Sequence, residues 1–227
     1  MDEPRRPSSL HGAPQPGKTP GATRKGSETR ARIIKGALEA LENGGMEALT
    51  TRKIAASAGV RLATLHYYFD SKESLLLAVL EDLIADMAEA YQADIPASHD
   101  PQERIETVIR SMWRYVQRTR NKQLAQTELT LYALRTQGAD WLAARQYNAY
   151  IDFYSKLIFD GMGEISEEKK RIGTAVARFM LIGIDGLILQ NFALHNDGNT
   201  NDGVETLIIA TRDLVRRLQA EAGLAAG

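Results

Sequence analysis

Apolar residues recur every three or four positions along most of the chain, and no run of strict alternation competes, so the pattern predicts helices throughout. Over 28–43, Ile33, Ile34, Ala37, Leu38 and Leu41 form one buried stripe, with Ser27 placed to cap the helix and Gly44-Gly45 to end it. Thr50 is an N-cap for a short second helix, and Leu49 and Ile54 are spaced as a hydrophobic staple. Ile54, Ala55 and Ala58 give that helix one apolar side. Ala58-Gly59-Val60 then makes a tight break in which Gly59 is free to take a positive φ. A third helix over 62–68 turns Leu65 and Tyr68 inward and leaves Leu62, Ala63, Thr64, His66 and Tyr67 outward or at its start. A helix that short has no stability of its own in water, so its neighbours must hold it. A small, mixed outer face on a propped-up helix suits insertion into a DNA major groove.

The fourth helix opens at Asp70-Ser71-Lys72-Glu73, which reads as a capping box with Glu73 three residues after Asp70, and runs to about residue 93. Leu75, Leu76, Val79, Leu83 and Met87 form its stripe. Its first turn adjoins the two short helices and its far end enters the rest of the chain, which makes it the expected mechanical link. Pro96 and Pro101 bracket a loop. Further helices are expected over 102–120, 123–136, 141–161, 167–195 and 203–222. In the eighth, the only charges between 172 and 194 are Arg178 and Asp185, and the length invites a membrane-spanning reading. Arg178, Asp185, Gln190 and Asn191 interrupt it, and nothing else in the chain is built for lipid, so no membrane partner is expected. A helix apolar nearly all round is otherwise buried on several sides. The ninth carries Val204, Leu207, Ile208, Thr211, Leu214, Val215 and Leu218 on one stripe. The last two helices together read as half of a four-helix dimer interface, with Ile184, Leu187, Phe192, Leu207, Thr211, Leu214 and Leu218 at the contact. The competing reading puts the eighth helix at the centre of a monomer core.

The expected fold is all-α with nine helices. Residues 1–26 form a disordered basic tail, 27–75 a three-helix unit with a helix-turn-helix, and 76–227 a helical ligand-binding and dimerisation domain. The tail holds five of the seven prolines and almost nothing that can pack. Its Arg5, Arg6, Lys18, Arg24 and Lys25 either trail along phosphates or are merely solvated. It lacks the apolar run of a signal peptide. The chain has no cysteine, which excludes a disulfide framework, a thiolate metal site and a cysteine nucleophile and fits a cytoplasmic protein. The net charge of −1 hides a split: residues 1–75 carry 12 Lys/Arg against 8 Asp/Glu, and 76–227 carry 16 against 21. A basic front on an acidic body suits a chain that docks DNA with one end. His11, His66, His99 and His195 show no metal-ligand spacing, and no glycine-rich phosphate loop follows a strand, so neither an enzyme nor a cofactor is expected.

The stretch Thr50-Thr51-Arg52-Lys53-Ile54-Ala55, then Ala58-Gly59-Val60, Thr64-Leu65-His66-Tyr67-Tyr68-Phe69, Ser71-Lys72-Glu73 and Leu75 resembles the DNA-binding domain of the TetR family of bacterial transcriptional repressors. The helical layout after it fits that family to the end of the chain. Arg61 and His66 depart from its pattern, where a small polar residue and a tyrosine are frequent, and both departures bear on the operator sequence. The resemblance implies a two-fold dimer on double-stranded DNA. Arg52 is then the base reader of the first short helix, its planar fork matching the N7/O6 edge of guanine. Thr51 bonds a phosphate, and Leu62, Ala63 and Thr64 meet base edges, the first two through apolar contact. His66 and Tyr67 match phosphate-contacting aromatics in the family. Lys72 clamps a phosphate at a helix N-terminus, and Arg61 can do the same.

The body carries aromatic and isolated polar groups on apolar faces: Trp113, Glu128, Tyr132, Tyr147, Tyr150, Phe153, Tyr154, Phe179, Asp185 and Gln190. They suit the lining of a pocket for a small, partly apolar ligand, against an ordinary core with satisfied tyrosines. The resemblance implies an effector site among these helices. The expected function is a repressor that binds a near-palindromic operator as a homodimer and is released by a small molecule. The alternatives are a DNA-binding dimer without an effector and a helical protein that borrowed the fold without binding DNA.

Overall fold

The computed structural model describes residues 24–95, 100–159, 166–194 and 199–223. The described chain is all-helical: α1 (Arg24–Ala48), α2 (Thr51–Ser57), α3 (Leu62–Tyr68), α4 (Lys72–Asp94), α5 (Pro101–Arg118), α6 (Arg120–Arg135), α7 (Asp140–Phe159), α8 (Glu167–Ala193) and α9 (Asn199–Glu221).

Local signals set most of the helix ends. The Thr50 hydroxyl accepts the Lys53 amide at 3.3 Å and caps α2, while Leu49 and Ile54 are both buried as the staple requires. Several starts differ from expectation, α6 opening at Arg120 instead of 123 and α9 at Asn199 instead of 203. α1 begins at Arg24, and the Ser27 hydroxyl bonds back to the Arg24 carbonyl at 2.8 Å as an interior helical residue. The last three residues assigned to the tail are therefore helical, because nothing at 24–27 breaks the turn; Arg5, Arg6 and Lys18 lie outside the described residues. α4 is capped by Ser71 and Ser74, which exchange reciprocal bonds at 3.0 and 3.3 Å, not by Asp70 and Glu73. Glu73 is engaged elsewhere, its carboxylate accepting the Tyr132 hydroxyl at 2.8 Å.

The helices enclose two hydrophobic cores. The first joins Ile33, Ala37 and Leu41 of α1 to Ile54, Leu65, Phe69 and the first half of α4, and it extends to Ala125, Leu129 and Ala133 of α6 and Leu142 of α7. The second joins Met87 and Tyr91 at the end of α4 to α5, α7, α8 and α9. α4 thus runs unbroken across the 75/76 boundary, and α6 packs against α1. α8 is by length and composition the one helix among the described residues able to cross a membrane. Here Ile172, Val176, Met180 and Ile184 are buried against protein, with α7 and α9 on its flanks. The Arg110 guanidinium grips both oxygens of Glu205 at 2.6 and 3.0 Å, and Arg212 reaches Glu106 at 2.9 Å, so ion pairs tie α9 to α5.

α1 contains a break. Gly45 has φ 62° and ψ −167°, a region essentially restricted to glycine. Beyond it the Met46 amide donates to a Glu128 carboxylate oxygen of α6 at 2.7 Å. A Cβ on residue 45 would lie 2.5 Å from that same carboxylate. Gly45→Ala is therefore expected to cost roughly 2 kcal/mol or more, from backbone strain and displacement of Glu128 together. Gly138→Ala has positive φ but open space around it and should cost less. Chemical denaturation of the two variants checks the order.

Candidate nucleic-acid interface and ligand cavity

α2 and α3 meet at Gly59, whose φ of 62° makes the turn. Leu65 and Phe69 anchor α3 in the first core, and the Arg30 guanidinium lies 5.2 Å above the Phe69 ring. The opposite side of α3 faces solvent: Leu62, Ala63, His66 and Tyr67 are exposed, Tyr67 at 64%, and Thr64 is half-buried. Arg52 and Arg61 are exposed beside them, and Thr51 is half-buried at the start of α2. These eight expected DNA contacts therefore share one end of the molecule, six of them on one continuous segment of sequence with α3 at its centre. Lys25 and Thr29 of α1 border an open groove of about 490 Å³ with Arg61, Ala63, Thr64 and Tyr67. The sequence offered Lys25 as a tail residue that either trails along phosphates or is merely solvated; the unbroken helix from Arg24 is what brings it to this groove.

Lys72 stands apart from the other contacts. It is half-buried, and its ammonium lies 4.5 Å from the centre of the Tyr132 ring. Burial lowers its pKa, against the pull of Glu73. Lys72 and Glu73 both address Tyr132, so the first turn of α4 is tied to α6.

In the body, two adjoining chambers share Gln123, Gln126, Tyr150, Asp185 and Ile188. The inner one is about 40 Å³ and bounded by Met87, Tyr91, Met112, Tyr115 and Tyr154; the outer, about 270 Å³, reaches Thr130, Leu134 and Leu189. The Tyr91 and Tyr154 hydroxyls lie 3.1 Å apart, and the Tyr150 hydroxyl donates to Gln126 at 2.6 Å. Tyr147 donates to Asp185 at 2.9 Å. Burial, then the Asp185 charge, pushes the Tyr147 phenol up to about 12, and burial raises Tyr115, Tyr150 and Tyr154 as well. The tyrosines are therefore neutral phenols at physiological pH. Burial also raises the Asp185 carboxyl above its ordinary range, opposed by the Tyr147 bond.

Of the ten residues expected to line a pocket, Tyr147, Tyr150, Tyr154 and Asp185 do so. Glu128 and Tyr132 project from the opposite side of α6, onto α1 and α4, because they lie one turn apart on the face that carries Ala125 and Leu129. Trp113 is buried in the second core, Phe153 stacks behind Tyr91 at 5.8 Å, Phe179 packs half-buried against the same core, and Gln190 is exposed. Tyr91 and Tyr115 were missed; Tyr91 falls one turn after Met87 on the α4 stripe, which was the available signal.

The expected dimer residues are also placed differently. Ile184, Leu207 and Thr211 are buried inside the protomer, the Thr211 hydroxyl bonding to the Leu207 carbonyl at 2.7 Å. Leu187, Phe192, Leu214 and Leu218 pack partly buried against the second core. A Cβ on Gly183 would meet the Leu207 side chain, so this small residue serves α8–α9 packing within one chain. The stripe common to the two helices is the one they use on each other. The outward apolar residues are Ile182 at 73% exposure, Leu189 at 54% and Ile209 at 67%. Gly186, between the first two, has open space around it.

Among known proteins, residues 33–79 match the family model described as bacterial regulatory proteins, tetR family. The chain is 26% identical over 189 residues to the HTH-type nicotine-responsive transcriptional repressor HdnoR of Paenarthrobacter nicotinovorans, covering 83% of this chain and 96% of that protein. It is 28% identical over 162 residues to the HTH-type transcriptional regulator BetI of Rhizobium meliloti, covering 70% of this chain and 65% of that one. A member of the TetR family from Streptomyces coelicolor shares the fold, with a TM-score of 0.60 at 24% identity over 84% of this chain and 98% of that one.

The half-buried Asp185 yields a test of the cavity electrostatics. Its folded-state pKa is raised, so the folded protein holds the proton more tightly, and stability falls as pH rises through that range. Asp185→Asn keeps an acceptor for Tyr147 without the charge. It should melt higher than the parent at pH 8, with the gap closing as both are acidified; thermal unfolding across pH checks this.

Proposed function

The chain belongs to the TetR family of bacterial transcriptional regulators, and from that premise we propose that it is a ligand-released repressor acting as a homodimer on a near-palindromic operator in the bacterial cytoplasm. The observation that carries this reading is the solvent-facing side of α3, with Leu62, Ala63, His66 and Tyr67 exposed between Arg52, Arg61 and Lys25 on a helix anchored from behind by Leu65. Arg52 reads a base edge; Leu62 and Ala63 offer apolar contact; Thr51, Arg61, Thr64, His66, Tyr67 and Lys72 hold the register through phosphates and edges. A two-fold pair presents two such helices to successive major grooves, about 34–36 Å apart or somewhat more. The outward stripe of Ile182, Gly186 and Leu189 on α8, with Ile209 on α9, supports that pairing as an apolar surface on the two helices at the end of the chain.

A chambered cavity favours a small effector over the effector-free alternative. That a relative is named for its response to nicotine supports the same class of regulation. The coupling runs through α6 as well as α4: Gln126, Thr130 and Leu134 face the cavity, while Glu128 and Tyr132 hold α1 and α4 on the other side. A ligand that fits better when α6 is displaced favours a state with the reading helices misplaced, to the extent of its preference for that state.

In a gel-shift titration, Arg52→Ala and Lys72→Ala should both weaken operator binding, Arg52→Ala by about 1–3 kcal/mol and with relaxed base preference, Lys72→Ala evenly across sequences. Unchanged binding in both removes the DNA assignment of these residues. Ile182→Asp should shift the sedimenting species from dimer to monomer and lower operator affinity with it; a variant that remains a dimer rules out this face.

A further inference from the structure

The cavity lining is one-sided in charge. Asp185 contributes a carboxylate to both chambers, and no lysine, arginine or histidine lines either of them. Among the described residues the carboxylate receives one hydrogen bond, from Tyr147, and no ion pair. A half-hidden carboxylate with no cation is an unfavourable arrangement, which a positive guest relieves and a negative one aggravates. The walls suit the same guest. Tyr91, Tyr115 and Tyr154 crowd the inner chamber, Tyr91 meeting Tyr115 edge-on at 5.6 Å and Tyr154 at 6.0 Å. Tyr147 and Tyr150 flank Asp185, their rings 6.3 Å apart. Aromatic faces attract a cation that comes within about 6 Å of the ring centre, most strongly where water is excluded.

We propose that this cavity takes a lipophilic organic cation, a protonated amine or quaternary ammonium carried on a single ring or a short apolar frame, with Asp185 as its counter-ion and the tyrosine rings as its walls. The proposal rests on reading the cavity as the effector site and names the chemistry of the effector. Anionic compounds such as carboxylates or acyl phosphates are excluded by the same lining. The outer chamber's size restricts the guest to a small molecule.

The test uses the full chain and two probes of equal size, benzyltrimethylammonium and the uncharged benzyl isopropyl ether, titrated by calorimetry. The cation should bind at least tenfold more tightly than the ether. Asp185→Asn, shown to be folded by its thermal transition, should lose at least tenfold in affinity for the cation while its affinity for the ether stays within twofold. Equal binding of the two probes, no loss in Asp185→Asn, or no binding of the cation at millimolar concentration overturns the proposal. Operator release is read separately by gel shift. A cation that binds through Asp185 without releasing DNA upholds the ligand class and defeats the effector role, whereas release by the ether alone defeats the ligand class and upholds that role.

Discussion

A seven-residue helix in water is not stable, because so few hydrogen bonds cannot offset the cost of nucleating it. α3 is such a helix, and the arrangement around it follows from that. Leu65 and Phe69 sink into the core built by α1 and the start of α4, and the Thr50 cap and the Gly59 turn set the angle at which α2 meets α3. The side chains left outside are free for the DNA contacts proposed for them, since none of them is needed to keep the helix folded. The reading surface is a passenger on a frame, and moving the frame moves the surface.

The frame extends further than three helices. Leu129 and Ala133 bring α6 into the same core as Ile33 and Leu41, while the reverse side of α6 borders the cavity. A second tie adds to this: Lys122 of α6 and Tyr115 of α5 both bond the Asp86 carboxylate of α4 at 2.8 Å. Burial works against the Asp86 charge, and these two bonds outweigh it, holding the carboxyl below its ordinary range. α4 and α6 are therefore joined at two levels, by Tyr132 near the reading helices and by Asp86 near the cavity.

The elements that were legible in the sequence were those set by neighbours in the chain. Thr50, the Leu49–Ile54 staple, the Gly59 break and the inward Leu65 depend on spacings of a few residues, and spacing is what a sequence displays. The same holds for the exposed face of α3, since Leu62, Ala63, His66 and Tyr67 are what remains once the inward residues are subtracted. What failed depended on which of two packed neighbours a face meets. Glu128 and Tyr132 carry the polar and aromatic character of a pocket wall, and periodicity cannot tell a wall from a joint. Leu207 and Thr211 form a true stripe, but whether a stripe meets its own chain or a second copy is not a local property. Asp185 and Tyr150 stood out because a carboxylate and a buried phenol are conspicuous on helices otherwise apolar.

The joint between Glu128 and the Met46 amide has a consequence for how such a protein diversifies. The bond is made to main chain, so any residue other than proline at position 46 supplies the same donor. Exposed side chains along α2 and α3, and residues lining the cavity, can be exchanged while this connection between the two ends stays intact. Position 46 is thereby constrained in backbone shape and, as far as this bond goes, left free in side-chain identity.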